Sequence, residues 1–270
     1  MAWENVVPEI TRLHKFVDLA ARGLEYGMHA QRAIEQHRRV SEVLRQPDPY
    51  GTEENYQSAL KRAAELQQFA REQHDVGFSY VHELVIVKLW SILENAIDDL
   101  AFERLREPDS REHDIFATFE GPLVAFAKAA PDEQSEFLLS KLKVAVKSSL
   151  QRGAGRFEAI LNPLGLGGGV DSGVAKAFVD LSETRHVIVH RGGMADKQFV
   201  SRCPWATVPT GQRLEVHRRQ LSWHLAAADW YVVELDSRLE GLRHGKRPID
   251  HEQLKTDLLE SVSKLSPAAA

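Results

Sequence analysis

Apolar residues recur three and four apart along almost the whole chain, and this spacing dictates a protein made of helices. The strongest case is Phe78 to Arg106, where Ile86, Trp90, Leu93, Ile97 and Leu100 form one stripe. Pro108-Asp-Ser ends it. Val6 to about Arg45 reads as a long helix, broken near Gly23 or Gly27. Gln46-Pro-Asp-Pro-Tyr-Gly51 is a turn, because two prolines and a glycine cannot continue a helix. Thr52 opens a second helix that runs to about Asp75, with Glu53 and Glu54 at its positive end. The two make a helical hairpin. Further helices are expected at Leu123–Ala129, from a cap at Asp132 to about Leu150, at Ser172–His190, at Leu214–Arg243 and at Asp250–Leu265. Asn162 to Gly169, rich in glycine, reads as a flexible connection. Gln198 to Val208 has room for a short hairpin. No internal repeat is found.

The expected architecture is an all-α helical bundle with an N-terminal hairpin. Its parts are residues 1–76 (hairpin), 77–245 (bundle) and 246–270 (a last helix and a frayed tail). The 270 residues, 43% hydrophobic and 27% charged, suffice for a core. A net charge of -5 excludes a strong positive field, so contact with nucleic acid needs a local basic patch. The one cysteine, Cys203, excludes an intramolecular disulfide and a multi-cysteine zinc site. No apolar run approaches the ~18 residues that span a membrane. Met1-Ala-Trp-Glu-Asn lacks the basic and apolar segments of a secretory signal, so the expectation is a soluble, cytoplasmic protein with no membrane partner.

Chemistry concentrates in Glu183-Thr-Arg185-His186-Val-Ile-Val-His190-Arg-Gly-Gly. Phe178, Leu181, Arg185 and Ile188 step by three and four, which puts Arg185 on the apolar stripe. A guanidinium there needs a cleft or a carboxylate. Glu94, between Trp90 and Ile97, needs a cation for the same reason. The two are expected to pair. Arg185 and His190 stand about 140° apart on an ideal helix, though Gly192-Gly193 places His190 in the last turn.

Arg185-His-Val-Ile-Val-His190 resembles the Arg-x4-6-His motif of the HEPN superfamily, helical domains that include many ribonucleases. His186 matches the polar residue that follows the arginine there. Gly192, Gly193, Asp196 and Phe199 match an extension found in many members. The resemblance covers residues 78–243. It implies a HEPN-like bundle and a metal-independent endoribonuclease, typically a toxin or defence effector, acting on RNA without a cofactor. The site would be shared by a homodimer, with room for an inhibitory partner protein. By that resemblance His190 is general base or acid, Arg185 stabilises charge on the phosphorane, His186 assists, and Glu94 and Glu183 support them. Many members are silent, so the alternative is a module that binds nucleotide, RNA or protein. RNA-binding candidates are Lys143 and Lys147 on one helix face, Arg152 and Arg191. A competing reading makes Glu183, His186 and His190 metal ligands, with His82 and Glu83, or His217, completing the set. The first reading assigns no metal.

Overall fold

Gly27 ends the first helix where the chain must pass close to its neighbour. A Cβ at Gly27 would lie 3.3 Å from the Ala70 Cβ. In this computed structural model, which describes residues 3–147, 150–246 and 248–267, the break is followed at once by a second helix. Eleven α-helices occur among the described residues: α1 (Val6–Gly27), α2 (Ala30–Val43), α3 (Glu53–Asp75), α4 (Ser79–Arg106), α5 (Leu123–Lys128), α6 (Pro131–Ala145), α7 (Gly155–Leu161), α8 (Ser172–Arg191), α9 (Lys197–Arg202), α10 (Arg218–His244) and α11 (Ile249–Leu265). There is no strand among them; the only β pairing is an isolated bridge, Met194 to Arg213. The all-α class holds. Among the described residues no single helix is long and apolar enough to cross a membrane.

Local chemistry accounts for most boundaries. Thr52 caps α3 by accepting from the Asn55 N–H. Asp132 does not cap α6. Ala130 stands at that position, Pro131 takes the first turn, and the Glu133 carboxylate accepts the Ala130 N–H at 3.1 Å. The helix also stops at Ala145, short of Leu150. Two short helices escape the periodicity, α7 and α9, each under two full turns. The hairpin anticipated at Gln198–Val208 is replaced by α9, which Asp196 caps by accepting from the Phe199 N–H at 2.8 Å. The last three alanines of the expected frayed tail lie outside the described residues.

The chain packs as two compact units. One comprises residues 13–84 with 215–218. Here α2 lies against α3. Arg38 reaches Glu53 at 2.9 Å and Asp48 at 3.3 Å, and stacks 4.0 Å over the Tyr56 ring. Ser79 and His82 grip one residue, Val216. The Ser79 hydroxyl accepts the Val216 N–H at 2.8 Å, and His82 Nδ1 donates to the Val216 carbonyl at 2.7 Å.

The other unit comprises residues 1–12, 85–214 and 219–270. Its centre is aromatic. Trp90 of α4 stacks on Phe157 of α7 at 5.1 Å, and Phe178 of α8 meets Tyr231 of α10 edge-on at 5.0 Å. Beside them Arg238 is buried among carboxylates. It donates to both oxygens of Glu158 and to Glu234, and Lys255 donates to Glu234 from α11. Arg238 also holds the carbonyls of Leu166 and Gly169. The glycine-rich segment is therefore a docked strap rather than a flexible connection. Two of its glycines answer to crowding: a Cβ at Gly167 would crowd the Asn162 side chain, and one at Gly168 would sit 2.7 Å from the Arg238 guanidinium carbon.

Candidate functional site

Helix α8 carries the site, and its two ends are well made. Asp171 accepts from the Gly173 and Val174 N–H groups at its start. At its finish Gly192 and Gly193 take φ of +60° and +80°, a left-handed turn that suits glycine. The Gly193 N–H bonds back to the Val187 carbonyl at 3.1 Å. The chain then folds under the helix end, where Ala195, Phe199, Cys203 and Leu214 bury themselves against Val187.

The buried face of α8 runs through Val174, Ala177, Phe178, Leu181, Thr184 and Val187. Arg185 lies at the margin of this face, half-buried, rather than on it. Of the two expectations for Arg185, the cleft is the one realised. Glu94 does not reach it. Glu94 is 29% exposed and pairs with Arg156 of α7 at 2.9 Å. The reason is geometric: α7, absent from the sequence reading, brings a nearer cation.

Arg185 instead meets His190. Its Nη1 lies 3.3 Å from His190 Nε2. A long side chain and a helix ending one residue after His190 close the gap of about 140° within a single chain. A guanidinium has no acceptor, so in this contact Nε2 accepts and the ring proton sits on Nδ1. The His186 ring stands 4.9 Å from that of His190. Arg185 Nε is shut off from solvent and has no partner among the described residues.

Arg185 and His186 line an open cleft of about 320 Å³ with Trp90, Arg152, Arg156 and Glu183 among its walls. Glu183 is buried, and Arg202 of α9 donates to both its oxygens at 2.8 and 3.0 Å. That pair removes it from any metal set. Among the described residues no group of three His, Cys, Asp or Glu could hold a metal ion. His82, the suggested fourth ligand, is spent on Val216.

The basic candidates separate. Lys143 pairs with Asp98. Lys147 lies beyond the end of α6 with φ of +49°, so it shares no helix face with Lys143. Arg152 lines the cleft. Arg191 is exposed and meets Asp196 at 3.4 Å.

A buried polar group went unread in the sequence. Asp180 of α8 accepts from His224 Nε2 at 2.8 Å, Gln220 Nε2 at 2.7 Å and Trp205 Nε1 at 2.6 Å. Burial pushes its carboxyl up, but these donors, His224 first, outweigh that and hold it below the ordinary carboxylate range. An acid on the buried face of α8 was the available signal. Its partners lie 25 to 44 residues away and leave no local mark. Cys203 is buried, and burial pushes its thiol up, away from reactivity.

The fold and site thus define an all-α protein with an Arg–His pair at a helix end, beside a cleft lined by arginines. Comparison with protein-family models, curated proteins and solved structures finds no match for the chain.

Proposed function

We propose that the chain is a metal-independent endoribonuclease of the HEPN type, with Arg185 and His190 as its catalytic residues. The observation that carries this is the Arg185–His190 contact beside a cationic cleft. A phosphodiester entering the cleft competes for Arg185, as a guanidinium fork binds phosphate oxygens better than a neutral imidazole. Drawing Arg185 away uncovers the Nε2 lone pair. His190 then takes the proton of the ribose 2′-hydroxyl as O2′ attacks phosphorus. Arg185 stabilises the charge that develops on the non-bridging oxygens. The P–O5′ bond breaks, and O5′ receives a proton from a second group, a role assigned to His186, whose ring stands 4.9 Å from that of His190. The products are a 2′,3′-cyclic phosphate and a 5′-hydroxyl. The intrachain contact removes the geometric need for a second copy to unite the pair. A homodimer enters through the resemblance, as a source of further acid–base groups facing the same strand. The same resemblance suggests a toxin or defence setting and a restraining partner.

The test is cleavage of a mixed single-stranded RNA pool in excess EDTA by wild type, Arg185→Ala and His190→Ala. Wild type alone should cut, leaving cyclic-phosphate ends, and each variant should lose about 10²-fold or more. Equal activity in all three, or none in wild type, overturns catalysis here in favour of a binding module.

A further inference from the structure

The cleft beside Arg185 holds more positive charge than one phosphate requires. Its walls present four guanidinium groups, Arg152, Arg156, Arg185 and Arg202, against one carboxylate, Glu183. Glu183 is taken up by Arg202. Arg156 keeps a side chain 40% exposed while meeting Glu94. Arg152 is exposed, and its side chain has no ion-pair partner among the described residues. Arg185 belongs to both places: Nη1 touches His190, and the side chain lines the cleft. Two further guanidinium groups beside its remaining donors suit an anion with more than one charged group.

We infer that this cleft includes a second phosphate subsite, in which Arg152 and Arg156 hold the backbone phosphate adjacent to the one on Arg185 and His190. The substrate is then a stretch of single strand, and a dinucleotide fills only part of the site. The inference rests on the ribonuclease reading for what the strand is held for.

The full chain is titrated with a fluorescent 2′-O-methyl hexaribonucleotide over a range of salt. Methylation blocks attack, so binding is measured whether or not the protein cuts RNA. For single strands each phosphate contact contributes about 0.7 to the slope of log K against log salt. Arg152→Gln should lower the slope by about 0.7. Arg156→Gln, made together with Glu94→Gln so that no carboxylate is left unpaired, should do the same. Lys264→Gln, an exposed cation outside the cleft, should leave it unchanged. With cleavable substrates, Arg152→Gln should raise KM several-fold for a hexamer and leave a dinucleoside monophosphate unaffected. No binding of the hexamer, a wild-type slope in Arg152→Gln, or an equal fall in Lys264→Gln overturns the subsite. Binding with the expected slopes but no cleavage of unmethylated RNA supports the subsite and overturns the ribonuclease reading instead.

Discussion

Replacing Asp180 by alanine tests what holds α8 in place. The substitution removes one buried acceptor from three donors. Gln220 and Trp205 are half-buried and can turn to water, whereas His224 is sealed. The loss has two parts. One is the net worth of a hydrogen bond to a charged group, about 1.5–3 kcal/mol; the other is the cost of a sealed orphan donor, about 1–3 kcal/mol. Together they come to about 2.5–6 kcal/mol, a large share of the ~5–15 kcal/mol that keeps a domain folded. All five tryptophans belong to the same compact unit as Asp180, so a urea melt followed by fluorescence reports that unit. With a denaturant slope of about 2 kcal/mol/M, the midpoint should fall by roughly 1.2–3 M. Asp180→Ala combined with His224→Leu removes the orphan with its acceptor, and should recover about 1 kcal/mol or more over the single variant. A single-variant shift below about 0.5 M, or a double variant less stable than the single, would refute the reasoning. The sign with pH follows from the depressed carboxyl. Its stabilisation is present above the ordinary value of 3.8 and is lost as pH falls through the folded-state value, so wild type should show an acid limb that Asp180→Ala lacks.

Three further outcomes are expected. Gly168→Ala drives a Cβ against an Arg238 guanidinium that Glu158 and Glu234 hold fast, and should cost about 1–3 kcal/mol, seen as a lowered Tm. Gly169→Ala, whose Cβ meets nothing within 4 Å, should leave Tm nearly unchanged. His82 is pushed below its usual 6.5, first by burial and then by the charges of Arg218 and His217, against the Val216 hydrogen bond. Its contribution is therefore present above pH 6.5 and lost as pH falls through the folded-state value. Hydrogen-exchange protection across residues 53–84, after correction for the intrinsic rate at each pH, should fall on acidification more in wild type than in His82→Gln, and parallel profiles would contradict this. Finally, nitrogen-15 spectra at pH 8 should find His190 protonated on Nδ1, with Arg185→Ala relaxing that preference; an Nε2-protonated ring in wild type would remove the Arg185–His190 contact from the argument.

The long helices were legible because each writes its apolar stripe and its stop signals into adjacent residues. Thr52, Pro108 and Gly192-Gly193 need no distant information. The failures share a cause. Helices α7 and α9 are too short for a stripe to declare itself, and α7 supplies Arg156, which claims Glu94. Without that helix, Arg185 stood as the nearest candidate. The buried residues of α8 include three polar ones, Asp180, Glu183 and Thr184, and a pattern read from apolar residues alone slides towards Arg185. Lys143 and Lys147 stood on one face only while α6 was carried past Ala145. In each case a residue's partner was decided by a segment remote in sequence, where periodicity says nothing.

The contact between Arg185 and His190 also limits what the resting protein can do. A base whose lone pair receives a guanidinium N–H cannot take another proton until that donor leaves. The donor in turn has a reason to leave only for a better acceptor, and a phosphate oxygen is one. The pair is thus self-masking in each chain by itself. The half-buried Arg185 sits with one nitrogen on His190 and another sealed with no partner among the described residues, so that only its remaining donors can meet an arriving anion first. Any activity at this site must begin with the guanidinium, and the imidazole follows. Loss of Arg185 should therefore leave a base that is permanently uncovered but has no guanidinium to hold an anion beside it.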